Sequence, residues 1–139
     1  MTPEQVRLVQ DSMVRLKPRM AETADEFYRL LFERHPEVRP MFPPDLSRLR
    51  VKFATELETI VRAIPDFPSF LYHARHLGAR HVGYGVRVSH YGLVRVVLLE
   101  AIAGELGDAW TPEVSGAWAA AYDVITEAML MGTEPAWAG

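Results

Sequence analysis

His35-Pro-Glu-Val-Arg-Pro-Met-Phe42 is the stretch of sequence that decides the fold. Each proline lacks a backbone donor and restrains the residue before it, so this stretch predicts a short angular segment. Phe42, a rigid aromatic side chain, follows directly from the corner. On both sides of it the apolar residues have helical spacing, and no alternating strand pattern competes with them. The corner therefore predicts a junction between two helices.

Two helices are predicted before the corner. The first begins near Pro3, with Thr2 as its cap, and Pro18 marks the passage into the second. The apolar residues of the first recur every three or four positions, which places them on one helix face: Val6, Val9, Met13, Leu16 and Met20. The second carries Ala24, Phe27, Tyr28, Leu31 and Phe32.

Further helices follow the corner. One runs from Asp45 to Ile64 and is interrupted by Pro65 and Pro68, and the next leads from Phe70 to His81 and the Gly83-Tyr-Gly85 turn. Then comes a helix capped by Ser89 and terminated by Gly107, and a last one begins at Thr111-Pro112. We therefore expect an all-α fold of about seven or eight helices, in a single domain over residues 1–139.

Composition narrows the chemistry. The chain has no cysteine, which excludes disulfides, thiolate zinc sites and iron–sulfur clusters, so any bound transition metal needs histidine or carboxylate ligands. The formal charge is -3 and no block of basic residues occurs, so we expect no nucleic-acid partner. The N-terminus lacks the apolar core of a signal peptide and the apolar runs are too short to cross a bilayer, so we expect a cytoplasmic protein with no membrane partner.

His81, in Leu77-Gly-Ala-Arg-His81, is the candidate metal ligand. An imidazole beside an apolar stretch can give one nitrogen to a metal, and an aromatic ring on the opposite wall can hold a flat cofactor. Those two requirements suit haem. A lone histidine at a helix end is also often a helix cap or a surface residue, so the rest of the chain has to decide.

The order of helices, the corner ending in Phe42 and the later His81 resemble the globin family over nearly the whole chain. The likeness is greatest to bacterial single-domain haemoglobins and to the haem domain of flavohaemoglobins. Further matching residues are Phe27-Tyr28, Arg80-His81, His90-Tyr91, Ala117-Trp118 and Ala121-Tyr122. The resemblance implies a globin fold around haem b, which is iron protoporphyrin IX.

The same resemblance implies individual roles. His81 is the proximal ligand of the iron, and its other ring nitrogen needs an acceptor. Phe42 stacks on the porphyrin. Tyr28 donates a hydrogen bond to dioxygen on the distal side, worth about 1 to 2 kcal/mol, or roughly a tenfold change in ligand retention. The alternative for Tyr28 is an ordinary helix tyrosine with its hydroxyl in water.

On the distal helix the chain departs from the family. Leu49 falls where the family usually has Gln or His, and Phe53 falls at the next apolar pocket position. Lys52 is expected in solvent or beside a haem propionate. A one-residue slip in the alignment would bring Arg48 or Arg50 into this position. No histidine lies between Asp45 and Ile64, so we expect the sixth coordination position to be open or taken by water or Tyr28.

The proximal side departs as well. In the flavohaemoglobin group a tyrosine and a glutamate polarise the proximal histidine, as in peroxidases. Tyr91 matches that tyrosine, but Thr133 falls at the position of the glutamate, with Glu134 next to it. We therefore do not expect strong donation of electron density from His81 to the iron. Arg80 is expected at a propionate or in solvent. Val86 and Val94 complete the predicted cofactor contacts.

Three functions compete at this stage. The first is reversible binding of dioxygen, with carbon monoxide and nitric oxide as further ligands, for storage, delivery or sensing. The second is nitric oxide dioxygenation with an external reductase, because the chain ends soon after Trp137 without flavin or nicotinamide domains. The third is a haem-free helical interaction module, in which His73 and His76 form a weak zinc motif or, as we prefer, simple surface residues. The oligomeric state is not predicted.

Overall fold

The computed structural model describes residues 1–132, and these contain six α-helices and no strand. The α-helices are α1 (Pro3–Leu16), α2 (Met20–Arg34), α3 (Ser47–Ala63), α4 (Phe67–Gly83), α5 (Val88–Leu106) and α6 (Pro112–Met131). Short 3-10 helices lie at Lys17–Arg19, Pro36–Met41 and Gly107–Ala109. No helix in the described range is long and apolar enough to cross a membrane.

The all-α prediction is confirmed, but the expected seven or eight helices were too many for the described range. The connections that contain Pro18, Pro36 with Pro40, and Gly107 form 3-10 helices of three to six residues, whereas the connection between α3 and α4, which contains Pro65, forms only a turn. Proline removes a backbone donor, so these connections close with tighter bonds instead of extending as α-helix.

The predicted helix ends are largely confirmed. The Thr2 side chain accepts a hydrogen bond from the Gln5 backbone, and the Thr111 side chain accepts one from the Val114 backbone. Gly107 ends α5 with a φ of 55°, a conformation that favours glycine.

The predicted cap at Ser89 was wrong. Helix α5 begins one residue earlier, at Val88, so Ser89 lies inside its first turn. The Nδ1 atom of His90 accepts a hydrogen bond of 2.9 Å from the backbone N–H of Arg87. The imidazole therefore satisfies the free donor at this helix start in place of a serine hydroxyl.

Helix α2 packs on α3 and α5, while α1 and α4 pack on α6. The contact between α4 and α6 brings two backbones together at Gly78, where a β-carbon would lie 1.9 Å from the carbonyl oxygen of Met129. Gly132 makes a similar approach, because its β-carbon would lie 2.1 Å from the carbonyl oxygen of Arg75. This close packing fixes the position of α4 against α6. His81 lies one turn after Gly78 on the same helix.

Candidate functional site

An aromatic cluster at the corner between α2 and α3 surrounds Tyr28. The Tyr28 ring stacks on Phe32 at 5.9 Å between centroids, and it meets Phe42 edge-on at 5.9 Å and Phe53 edge-on at 6.1 Å. Phe27 stacks on Phe53 at 4.9 Å and so joins α2 to α3. The structure therefore brings the predicted site residues Tyr28, Phe42 and Phe53 into one cluster.

Tyr28 itself is buried, with 6% of its surface exposed. The Tyr28 side chain is therefore packed in the core, while its role as a distal donor stays a prediction. Burial raises the pKa of Tyr28 to about 12, and the nearby positive charge of Arg50 opposes that shift. Within residues 1–132 this hydroxyl has no hydrogen-bond partner and its oxygen keeps some accessible surface, so it is available as a donor.

The distal wall on α3 is apolar. Leu49 and Phe53 are half-buried and pack against the core, while Lys52 is exposed. Arg50, which the sequence raised only through a possible alignment slip, bonds Asp25 of α2 through Nε at 2.8 Å. Near Tyr28, therefore, Arg50 is held in an ion pair, Lys52 faces solvent, and Leu49 has no hydrogen-bond donor.

On α4 the imidazole of His81 is half-buried, and its Nδ1 lies 2.7 Å from the carbonyl oxygen of Leu77. A carbonyl can only accept, so Nδ1 carries the proton in this bond and Nε2 keeps its lone pair. Burial lowers the pKa of His81, and the bond to Leu77 opposes that shift. The ring is therefore a neutral imidazole with Nε2 available as a metal ligand.

Helices α3 and α4, which carry the predicted distal residues and His81, pack against each other. Arg80, next to His81, bonds Glu56 of α3 at 2.8 Å. Glu56 therefore faces α4, whereas Phe53, one turn earlier on α3, packs on Phe27 of α2. Arg80 was expected at a haem propionate or free in solvent. The structure instead shows it in an ion pair with Glu56.

The remaining predicted contacts lie on the proximal side. Val86 and Val94 are half-buried, and the Val86 N–H donates to the His81 carbonyl at 3.1 Å. The backbone carbonyl of Tyr91 accepts a hydrogen bond of 2.7 Å from the Tyr122 hydroxyl of α6. Burial raises the pKa of the half-buried Tyr91.

Two other predictions concern polar residues. Thr133 and Glu134 lie outside the described residues, so the predicted loss of the proximal glutamate stays a prediction. His73 and His76 both contact Tyr72, with ring centroids 5.5 and 4.5 Å away. Within residues 1–132 no three histidine or acidic side chains cluster in a way that could hold a metal ion.

These residues fit a flat, apolar cofactor that carries a metal. The corner, α3 and the region after α4 supply half-buried apolar side chains, His81 supplies a neutral imidazole with a free nitrogen, and Tyr28 supplies a hydroxyl that no residue of the described range bonds. Haem is held by apolar contacts to the porphyrin and by an imidazole on its iron. An iron porphyrin held by His81 is therefore compatible with the side chains present.

Sequence reasoning missed two features of this site. Gly78 belongs to the buried face of α4 formed by Phe70, Ala74 and Gly78, and the decreasing side-chain size at four-residue spacing was a usable signal of close helix packing. Arg39 was passed over, although it lies in the corner and donates to three carbonyls beyond it. No spacing rule points to that contact.

Known proteins resemble this chain in sequence and in structure. A flavohemoprotein from Deinococcus radiodurans is 31% identical over 137 residues, which cover 94% of this chain and 33% of that protein, so the chain spans about one third of its length. A bacterial globin from Campylobacter jejuni superposes with a TM-score of 0.84 at 25% identity, covering 94% of this chain and 95% of the other.

A second solved structure is an engineered carbene transferase from Rhodothermus marinus, described as a proposed nitric oxide dioxygenase. It superposes with a TM-score of 0.84 at 32% identity and covers 99% of this chain and 95% of the other. Residues 25–129 match the family model for globins. That match extends from α2 almost to the end of α6 and includes His81 and the cluster around Tyr28, so the chain belongs to the globin family.

Proposed function

We propose that this chain binds haem b with His81 as the axial ligand and binds dioxygen reversibly, with Tyr28 as the distal hydrogen-bond donor. The observation that carries the proposal is the neutral imidazole of His81, whose Nδ1 is held by the Leu77 carbonyl so that Nε2 is free to bind a metal. The Tyr28 hydroxyl, which has no hydrogen-bond partner in the described range, supplies the distal donor under this proposal. The family match and the flavohemoprotein relative support haem as the cofactor. Carbon monoxide and nitric oxide are further ligands under this proposal.

When bound, haem supplies an iron that takes diatomic gases reversibly. His81 holds one nitrogen toward the cofactor, and its bond to Leu77 fixes the orientation of the ring. Phe42 and Phe53 supply apolar contact and exclude water, while Leu49, Val86 and Val94 complete the apolar walls. Tyr28 keeps its proton at neutral pH because its pKa is raised, so its hydroxyl remains a donor.

Nitric oxide dioxygenation is the second candidate, and its specific support is the likeness to a proposed nitric oxide dioxygenase from Rhodothermus marinus. Turnover needs a source of electrons, and we propose a separate reductase for this role. Steady consumption of nitric oxide with a cellular reductant supports the enzyme, whereas a single stoichiometric burst supports the carrier. We further propose that residues 1–139 act as one globin domain in the cytoplasm.

The first test is a visible spectrum of the purified protein after addition of haemin, in oxidised, reduced and gas-bound forms. We expect a Soret band that shifts with dioxygen and carbon monoxide, and that changes in His81→Ala but not in His76→Ala. A colourless preparation, or a Soret band unaltered in His81→Ala, refutes the axial assignment.

The second test measures dioxygen dissociation by stopped flow. Tyr28→Phe is expected to speed dissociation by roughly tenfold because one hydrogen bond in a dry pocket is lost. Tyr72→Phe is the matched control, since Tyr72 is 62% exposed on α4. Equal rates in wild type and Tyr28→Phe reject Tyr28 as the distal donor.

A further inference from the structure

Arg39 binds the chain segment that leads from the corner to α3. Its Nη1 donates to the carbonyl oxygens of Phe42 at 3.2 Å and Pro43 at 2.9 Å, and its Nη2 donates to that of Pro44 at 3.1 Å. The backbone N–H of Phe42 in turn donates to the Arg39 carbonyl at 3.1 Å. One residue therefore holds three successive carbonyls and closes a ring of hydrogen bonds on Phe42.

This segment has few other means of fixing its shape. It lies between the 3-10 helix that ends at Met41 and α3, which begins at Ser47. Pro43 and Pro44 have no N–H to donate, so neither can enter a helical hydrogen-bond ladder. Without the Arg39 side chain the carbonyls from Phe42 to Pro44 would turn to water, and the backbone of Phe42 would keep only the bond from its N–H to the carbonyl of residue 39.

The same guanidinium also contacts the aromatic cluster. Its central carbon lies 4.8 Å from the centroid of the Phe32 ring, within the range of a cation–π contact. Phe32 meets Phe42 edge-on at 5.1 Å. Arg39 thus acts on Phe42 twice, through its backbone and through the ring packed beside it.

The charge of Arg39 has no carboxylate partner in the described part of the chain. This distinguishes it from Arg29, which bonds Glu26 and Glu33 on the surface of α2. A planar guanidinium can donate in several fixed directions and stack on a ring at the same time, whereas a lysine ammonium is a single point of charge. The contacts of Arg39 use both properties.

We propose that Arg39 is a positioning residue that sets the place of the Phe42 ring against the cofactor. This inference rests on the proposed function, because it assumes that Phe42 contacts haem. It assigns part of the retention and seating of the cofactor to an arginine that acts through Phe42.

The experiment compares Arg39→Lys and Arg39→Gln with the matched control Arg29→Lys, all as haem-loaded protein. Haem loss is followed by transfer to an excess of an apo-globin with high haem affinity. The hyperfine-shifted haem methyl signals of the ferric cyanide form are recorded by proton NMR, and the unfolding midpoint is measured alongside. Arg39→Lys keeps the charge and much of the length, so it carries the test if Arg39→Gln folds poorly.

We expect both Arg39 variants to lose haem about fivefold to tenfold faster than wild type, from the loss of charge-assisted hydrogen bonds. The haem methyl signals should also move, because Phe42 no longer holds one seating of the ring. Arg29→Lys should match wild type in both measurements. Unchanged methyl signals in Arg39→Lys, with or without a lower unfolding midpoint, overturn the inference and leave Arg39 a purely structural residue.

The two proposals fail in different ways. If wild type shows no Soret band with haemin, the proposed function fails before Arg39 is tested. If wild type binds haem and Phe42→Ala speeds haem loss while the Arg39 variants do not, Phe42 contacts the cofactor and only the positioning inference falls.

Discussion

Replacing Gly78 by alanine tests the packing that holds α4 in place. A β-carbon at this position would lie 1.9 Å from the Met129 carbonyl oxygen and 2.6 Å from its carbonyl carbon. Ordinary contact needs about 3.5 Å, so α4 and α6 must separate by roughly 1.5 Å. The obstacle is backbone, which cannot rotate away as a side chain can.

We therefore expect Gly78→Ala to lower the free energy of unfolding by about 2 kcal/mol, within the usual range for overpacking. The melting temperature should fall by roughly 5 to 10 °C, as followed by far-ultraviolet circular dichroism. His81 lies one turn further along α4, so haem retention should weaken as well.

Two matched controls give the opposite sign. Gly104 in α5 and Gly116 in α6 also lie in helices, but a β-carbon at either would meet no atom within 4 Å. Alanine is the better helix former by up to about 1 kcal/mol, so Gly104→Ala and Gly116→Ala should raise stability slightly. A Gly78→Ala protein as stable as these controls would show that α4 and α6 do not meet through their backbones.

Three further predictions concern the titration of Tyr28 and the charged side chains near Tyr28 and His81. The pKa of Tyr28 is raised to about 12, so between about pH 10 and pH 12 the unfolded chain releases this proton first and the free energy of unfolding falls by about 1.4 kcal/mol per pH unit. Chemical denaturation in this range should show a smaller decrease for Tyr28→Phe, and an equal decrease contradicts the raised pKa. Arg50→Gln should raise the pKa of Tyr28 further, because the Arg50 charge opposes the shift. Ultraviolet titration against Arg48→Gln tests this, and a lower pKa in Arg50→Gln refutes it. A double-mutant cycle of Glu56→Gln and Arg80→Gln should give a coupling of less than about 1 kcal/mol, since the Arg80 and Glu56 side chains are 50% and 35% exposed. A coupling above about 2 kcal/mol would mean that the pair is shielded from solvent.

The helices were predictable because their signals are local. Thr2 and Thr111 cap helices whose first residues are prolines, and both signals act within three residues of the helix start. The buried position of Tyr28 followed from its place on a face shared with Ala24 and Leu31. The number of α-helices was not predictable, because a choice between 3-10 and α-helix in a short connection depends on a single turn of hydrogen bonds.

The polar contacts of the site were not predictable from the sequence. Arg80 pairs with Glu56, which is 24 residues away along the chain, so no helical spacing links them. The contact of Arg50 with Asp25 likewise depends on how α2 crosses α3. Long flexible side chains choose their partners only after the helices are placed, and for that reason the expectations for Arg80 named propionate and solvent but not Glu56.

The hydrogen bond of His81 bears on the choice between carrier and enzyme. The Nδ1 proton goes to the Leu77 carbonyl at 2.7 Å, and a neutral carbonyl draws less charge from the ring than a carboxylate does. A strong electron push would require the imidazole to leave Leu77 for an acid, and α4 holds both residues one turn apart on a helix fixed by the Gly78 contact. Within residues 1–132 the acceptor of the Nδ1 proton is a neutral carbonyl and not a carboxylate, and this contact supports the proposed reversible gas binding.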